Sequence, residues 1–75
     1  MYNIPNGAAA ITTSDTAELQ LVGLYVGGTG DVKVDDALGN TVTFKAVPVG
    51  TTITCRITRV YATLTTATNL VGFKL

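Results

Sequence analysis

Apolar and polar residues alternate along much of this chain in short runs that are separated by turn-forming residues. Within residues 41–46, every second side chain is apolar (Val42, Phe44 and Ala46), and the positions between them carry Lys45 and two threonines. This period of two predicts a half-buried antiparallel strand.

The same pattern predicts strands over residues 8–13, 21–26, 31–35, 52–65 and 70–75. Residues rich in glycine, proline and asparagine separate them at 6–7, 27–30, 39–40 and 48–50, and a polar, threonine-rich turn does so at 65–69. At 27–30, glycine is expected because it reaches positive φ without steric cost. Helix signals are confined to residues 14–19, where a loose capping pattern predicts one turn at most, or a loop.

The run 52–65 changes phase part-way. Ile53, Cys55 and Ile57 share one face, but after Arg59 the apolar set shifts by one position. A one-residue slip of this kind predicts a β-bulge or a bend that carries the strand from one sheet to another.

These elements together predict an all-β fold, a small antiparallel β-sandwich or barrel. We expect residues 1–7 to form an N-terminal arm and residues 8–75 to form a single β-domain. The predicted core consists of Val22, Leu24, Val26, Val32, Val34, Val42, Phe44, Ile53, Cys55, Ile57, Val60, Leu64, Val71 and Phe73.

At 75 residues, the domain is small enough to need help with its stability. Cys55 is the only cysteine, so no disulfide forms within one chain, and there is no histidine to build a zinc site with it. Oligomerisation remains as the common route. Only 13% of residues are charged, against roughly 25% in an average soluble domain, which favours a surface partly covered by neighbouring subunits.

The charge balance disfavours several partners. Five basic residues match five acidic ones, so the basic excess that neutralises nucleic-acid phosphates is missing. The most apolar window, residues 21–26, is too short to cross a bilayer, which predicts no membrane insertion. The first five residues lack the positive start of a secretory signal, and we expect folding in the cytoplasm.

Catalytic chemistry finds little support in this sequence. Without histidine, serine and cysteine triads are excluded. Cys55 is expected in the core, and the adjacent Asp35 and Asp36 point to opposite faces of a strand. The glycines at 27–30 lack the Lys-Ser/Thr of a phosphate loop, and Asp31 with its neighbours lacks calcium-loop spacing. We expect no enzyme activity, no metal and no cofactor.

Threonine pairs offer one alternative function. The pattern Thr-x-Thr recurs every eleven residues, beginning at Thr41, Thr52 and Thr63, and regular threonine ranks are typical of ice-binding solenoids. The stretches between them are dissimilar, so ordinary outward-facing strand threonines are the preferred interpretation.

Four segments carry motifs in a characteristic order: ITTSDT at residues 11–16, GLYVGGTGDV at 23–32, TVTFKAVPVGT at 41–51 and RVYATLTTATNLV at 59–71. They resemble the segments VTPSDT, GLYVGGxGDV, TVTFxxVPxGT and RVxATGTTATxIV of the head spike base proteins of gene transfer agents and related marine and alphaproteobacterial tailed phages. Their order and spacing cover residues 10–72. Leu64 stands where the family commonly has glycine, so the bend after Ala62 is expected to be less sharp, and the ending at 72–75 also differs.

The resemblance implies a virion structural protein on the outer surface of the head, assembled in the host cytoplasm. Its partners would be major capsid protein and, for a spike base, a head fibre; a shell-wide decoration (cement) protein is equally compatible. Threefold, fivefold and sixfold homo-oligomers all fit. The main rival is a glycan-binding module for host attachment that recognises host glycans through Tyr25 or Tyr61.

Exposed aromatic residues, arginines and chain ends are the candidate contacts with capsid or with other copies. Arg56 and Arg59 flank the phase slip and are equally compatible with solvated edge charges. The expected interface residues are Tyr2, Ile4, Pro5, Tyr25, Arg56, Arg59, Tyr61, Phe73 and Leu75.

Overall fold

The computed structural model describes residues 7–74 and contains β-strands and connecting segments. The strands are β1 (Gly7–Ala10), β2 (Gly23–Tyr25), β3 (Gly30–Asp36), β4 (Thr41–Val47), β5 (Thr52–Ile53), β6 (Ile57–Val60) and β7 (Val71–Lys74). They form a four-stranded sheet in the order β1-β7-β2-β5 and a three-stranded sheet in the order β4-β3-β6. Each strand pair is antiparallel, which confirms the prediction of an all-β fold.

The two sheets touch through main-chain hydrogen bonds at one corner. The N–H of Leu21 donates to the carbonyl of Ile57, and the N–H of Ile57 donates back to Leu21, each over 2.9 Å. This isolated bridge links the segment before β2 to the start of β6, so the sandwich is closed at that edge like a barrel.

The core lies between the sheets and contains Leu21, Leu24, Val26, Val32, Val34, Val47, Ile53, Ile57, Val60, Ala67 and Leu70. Seven of the predicted core residues are among them. The prediction was wrong for Val42 and Leu64, whose side chains are 40% and 62% exposed. Five others are half-buried. Two of these, Phe44 and Cys55, pack against the core, and the other three are Val22, Val71 and Phe73.

Strand β7 has the opposite phase from the one predicted. Gly72 pairs with Leu24, a fully buried residue, so the glycine faces inward and Val71 and Phe73 face outward. A Cβ atom on Gly72 would lie 2.6 Å from a methyl group of Leu21. The side chain of Leu21 therefore occupies the space that an inward residue of β7 would otherwise fill.

A β-bulge interrupts the alternation of β4. Val32 pairs with Phe44 and Gly30 with Val47, so two residues of β4 lie opposite the single residue Asp31. Ala46 has a φ of +51° there, and its N–H donates to Asp31 Oδ1 over 2.8 Å. The extra residue turns Val47 into the core in place of Ala46.

The predicted strand 52–65 is divided between the sheets. Ile53 belongs to β5 of one sheet and Ile57 to β6 of the other, so the chain crosses at 54–56. Thr58 then forms a bulge, because Asp35 pairs with Arg59 and Asp36 with Ile57. Both devices that the phase slip predicted are therefore present.

The run ends at a turn over residues 62–64. Leu64 adopts the left-handed φ of +68° there, so a tight turn persists without glycine. Residues 14–19 form a loop, in which Ser14 Oγ accepts the N–H of Ala17 over 3.1 Å, and no helix is present within residues 7–74.

The glycines at 27–30 have a role different from the one predicted. Positive φ occurs at Gly39 and Gly50, in the two turns that flank β4, and not at 27–30. Instead, residues 27–30 lie directly against residues 66–69, whose backbone would overlap a Cβ atom on Gly30. An isolated bridge between Gly28 and Thr68 fixes this contact. Close approach of two backbones is therefore the reason for glycine.

Candidate interaction surfaces

The outer side of the four-stranded sheet is apolar. Leu24, Gly72 and Ile53 pair across this sheet and point into the core, so their sequence neighbours point outward. We call the resulting surface the apolar face; its apolar members are Ala8, Ala10, Tyr25, Val71 and Phe73, and Thr52, the cross-strand partner of Tyr25, is the polar residue at its β5 edge. When one side of an antiparallel sheet faces water, the residues on that side are normally polar, so this composition is unusual.

Phe73 lies across Gly23 at the centre of the apolar face. The two residues are direct cross-strand partners, and a Cβ atom on Gly23 would lie 3.3 Å from Cδ2 of Phe73. The ring thus covers a position without a side chain, which explains why Phe73 is half-buried although it points away from the core.

The outer side of the three-stranded sheet carries charges in a connected network. We call it the polar face; its members are Lys33, Asp35, Thr41, Arg59 and Tyr61. Asp35 Oδ1 accepts the Thr41 hydroxyl over 2.5 Å, while Oδ2 accepts the Tyr61 hydroxyl over 2.9 Å and an Arg59 N–H over 3.1 Å. Lys33 Nζ lies 4.5 Å from the centre of the Tyr61 ring, within cation–π range.

This network is partly shielded from solvent, with the Arg59 and Asp35 side chains 25% and 15% exposed. The hydrogen bond from the Thr41 hydroxyl is the main cause that lowers the pKa of Asp35 below its usual value. Desolvation opposes this effect, and the Tyr61 hydroxyl and the charge of Arg59 each lower the pKa further by less. Asp35 is therefore held as a carboxylate whose acceptor positions are used within the fold.

The expected interface residues fall on separate surfaces. Tyr25 and Phe73 share the apolar face, whereas Arg59 and Tyr61 share the polar face on the other sheet. Arg56 lies exposed in the connection between β5 and β6. The remaining four lie outside the described residues: Tyr2, Ile4, Pro5 and Leu75.

Sequence reasoning missed part of each surface. Val71 was assigned to the core, and Ala8 and Ala10 were not considered. Asp35 was considered as one half of a carboxylate pair with Asp36, yet it is the centre of the polar network. The alternation of Asp31, Lys33 and Asp35 around buried valines was the available signal for the polar face.

Two alternative functions can be compared with the geometry. Thr41 lies in β4, Thr52 lies in β5 of the other sheet, and Thr63 lies in a turn, so the threonine pairs do not form one flat array. Tyr61 is one of the tyrosines considered for glycan stacking. Its hydroxyl donates to Asp35 and Lys33 lies over its ring, so both groups that would contact a sugar already have partners.

No cluster of three potential metal-ligating side chains occurs within the part of the chain that the structure describes. Residues 7–74 also contain no helix with the length and apolar character needed to cross a membrane.

The fold is similar to that of a chain in a solved structure described as the capsid of a native GTA particle computed with C5 symmetry, where GTA stands for gene transfer agent. The two chains are 33% identical, with a TM-score of 0.83, and the match covers 95% of this chain and 84% of the other. This chain belongs to the family of that GTA capsid component. No family model and no curated protein sequence matches it.

Membership of the GTA capsid family confirms the sequence resemblance at the level of a GTA or phage head protein. The structure also shows how two of the resembling segments are related in space. Residues 23–32 and 59–71 contact each other where residues 27–30 meet residues 66–69. Glycines in one segment and small residues in the other allow that contact.

Proposed function

We propose that this chain is a structural protein bound to the outer surface of a tailed-phage or GTA head, as a decoration protein or as the base of a head spike. The match to a chain of a GTA capsid, at 33% identity over 95% of this chain, carries the proposal. That family membership also supports a structural rather than an enzymatic role.

The apolar face supports attachment to other head proteins. Tyr25, Val71 and Phe73 present apolar surface that the core does not use, and aromatic residues are enriched at the centres of interfaces. In the proposed arrangement, this face contacts major capsid protein or a second copy of the chain in a homo-oligomer. Burial of the apolar face would add stability to a 75-residue domain, because a domain of this length buries only a modest share of its own surface on folding.

The polar face is suited to the solvent side. Its charges are already paired within the sheet, as in Arg59 with Asp35 and Lys45 with Asp31 over 3.3 Å. A spike base would use this side or the loops around it to hold a fibre, whereas a decoration protein would leave it open.

Cryo-electron microscopy of purified particles tests the proposal directly. Density for this chain at the vertices that continues into a projecting fibre supports a spike base. Density repeated over the whole shell supports a decoration protein. Particles that lack the chain, from cells that produce it, would overturn the head role.

The N-terminal arm is part of the proposal. Because β1 begins at Gly7, deletion of residues 1–6 removes no residue of the described sheets. We expect the truncated chain to keep the circular dichroism spectrum of the β-fold and to lose particle binding. Unchanged binding would remove the arm from the contact and leave the apolar face as its basis.

A further inference from the structure

An open groove runs along the corner where the two sheets meet. It has a volume of about 650 Å³ and lies between residues 18–22 and residues 56–58, with Lys74 at the end of β7 and Ala37 near the β3–β4 hairpin on its walls. A second depression shares Glu18 and Thr58 with it and reaches Asp36 and Gly39. The two together form one open track rather than an enclosed cavity, which suits an extended peptide better than a compact ligand.

The charges in this groove are different from those elsewhere in the fold. Glu18, Arg56 and Lys74 are the charged side chains of residues 7–74 that make no hydrogen bond, ion pair or cation–π contact with another described residue, and all three line the groove. The other charged side chains have partners within the fold, as Asp15 has in Thr63 and Lys33 has in Tyr61. The three charged side chains without such a contact therefore lie together in the groove.

Between these charges the groove offers a little apolar surface and main-chain groups. Half-buried Leu19 and Val22 supply the apolar surface, whereas the side chains of Leu21 and Ile57 are buried in the core and leave their main chain at the groove. The N–H groups of Leu19 and Leu21 donate to β6, whereas Gln20 between them has no backbone partner among the described residues. Main-chain groups on an open strand-like edge beside apolar positions are what an added extended peptide uses.

We propose that this groove binds an extended acidic segment of a second head protein. Arg56 and Lys74 hold a carboxylate of that segment, and an apolar side chain next to it packs on Leu19 and Val22. The proposal rests on the proposed function, because the segment belongs to another protein of the head. Glu18 limits the segment to one carboxylate beside the two cations, because it would repel a run of negative charges such as the successive phosphates of a nucleic acid.

Zero-length coupling by a carbodiimide tests this chemistry, because it joins a lysine amine only to a carboxylate in direct contact. Purified particles that carry the chain are treated and digested, and the joined peptides are identified by mass spectrometry. Coupling of Lys45 to Asp31, whose atoms lie 3.3 Å apart, reports that the reaction has worked. We expect Lys74 to be joined to an aspartate or glutamate of a different head protein.

Two variants sharpen the test. Lys74→Arg keeps the charge but cannot form the amide, so particle incorporation should be unchanged and the coupled peptide lost. Arg56→Glu with Lys74→Glu should lower incorporation about tenfold or more through like-charge repulsion. Lys45→Glu, on the other sheet, is the matched control and should leave incorporation within about twofold.

The outcomes separate the groove from the head role. A chain that is present in particles, with Lys45 coupled and Lys74 uncoupled, overturns the groove proposal alone. Coupling of Lys74 to Glu18 of its own chain, or to another copy of this chain, also overturns it. Absence of the chain from the particles overturns the head role instead.

Discussion

Gly30 lies against Ala67 so closely that a Cβ atom on Gly30 would overlap the Ala67 peptide nitrogen and lie 2.7 Å from its Cα. The N–H of Ala67 donates to the carbonyl of Asp31 over 3.1 Å, and Asp31 N–H in turn donates to Thr66 Oγ1 over 2.9 Å. These bonds anchor residues 66–69 along the start of β3 and bring Ala67 into the core.

Replacement of Gly30 by alanine should therefore destabilise the fold strongly. The added methyl group meets main chain, which cannot rotate away, so we expect the free energy of unfolding to fall by about 3 kcal/mol. Urea denaturation followed by circular dichroism measures it. Gly7→Ala is the control, because nothing lies within 4 Å of a Cβ there, and it should change stability by less than about 0.5 kcal/mol. Equal effects of the two would refute the close contact.

Leu64→Gly should stabilise the chain. Leu64 has a φ of +68° and a side chain that is 62% exposed, so glycine relieves left-handed strain and loses little packing. Glycine also increases the entropy of the unfolded chain, which offsets part of this benefit. We therefore expect the free energy of unfolding to rise by about 0.5 kcal/mol, or Tm by roughly 3 °C. Leu38→Gly is the matched control at an 88% exposed leucine with ordinary φ, and it should lower Tm.

Stability should fall in acid. The pKa of Asp36 is lowered because its carboxylate accepts the N–H and side-chain amide of Asn40 and the N–H of Leu38. A lowered folded-state pKa gives stability that is present above the unfolded value of about 4 and is lost as pH falls through the folded value. Hydrogen bonds lower the pKa of three further aspartates in the same direction: Asp15, Asp31 and Asp35.

Thermal unfolding at about pH 7 and about pH 2.5 checks the contribution of Asp36. Asn at position 36 keeps an acceptor oxygen but cannot be protonated, so Asp36→Asn should lower Tm at neutral pH and lose less of it on acidification than the parent chain. An identical acid-induced loss in both chains would show that protonation of Asp36 does not contribute.

Phe73→Asp tests the apolar face. Phe73 points away from the core, so the variant should keep the β-fold, but a charge at the centre of the contact should weaken particle binding about tenfold or more. Co-sedimentation of the chain with particles gives the measurement. Thr43→Asp, which lies opposite Lys33 on the outer side of the other sheet, is the control and should bind normally. Loss of binding in both variants would argue against a specific role for the apolar face.

Much of the strand content could be predicted from local sequence. The alternation of Val32 and Val34 with Lys33 predicts β3, and Gly39 marks the hairpin that follows it. For the candidate surfaces, the positions of Tyr25 and Tyr61 between the predicted core residues predict that both side chains face outward, which they do. It does not predict that they lie on opposite sheets.

In β4 and β7, the predicted alternation failed because a bulge or a contact with a distant residue had changed the phase. Val47 replaces Ala46 in the core because β4 has one residue more than β3 opposite Asp31. Phe73 faces outward because Leu21, more than fifty residues away, fills the space over Gly72. Periodicity within one segment contains no information about the residue that lies across from it.

By itself, then, the sequence determined that this is an all-β chain of short strands with one apolar side each, and its motifs resemble those of GTA and phage head proteins. The tertiary structure alone decided which side of each strand is buried, that one outer sheet surface is apolar and the other charged, and that Glu18, Arg56 and Lys74 share a groove. The physical reason is that strand periodicity is local, whereas register, bulges and the pairing of charges depend on which distant segments pack together.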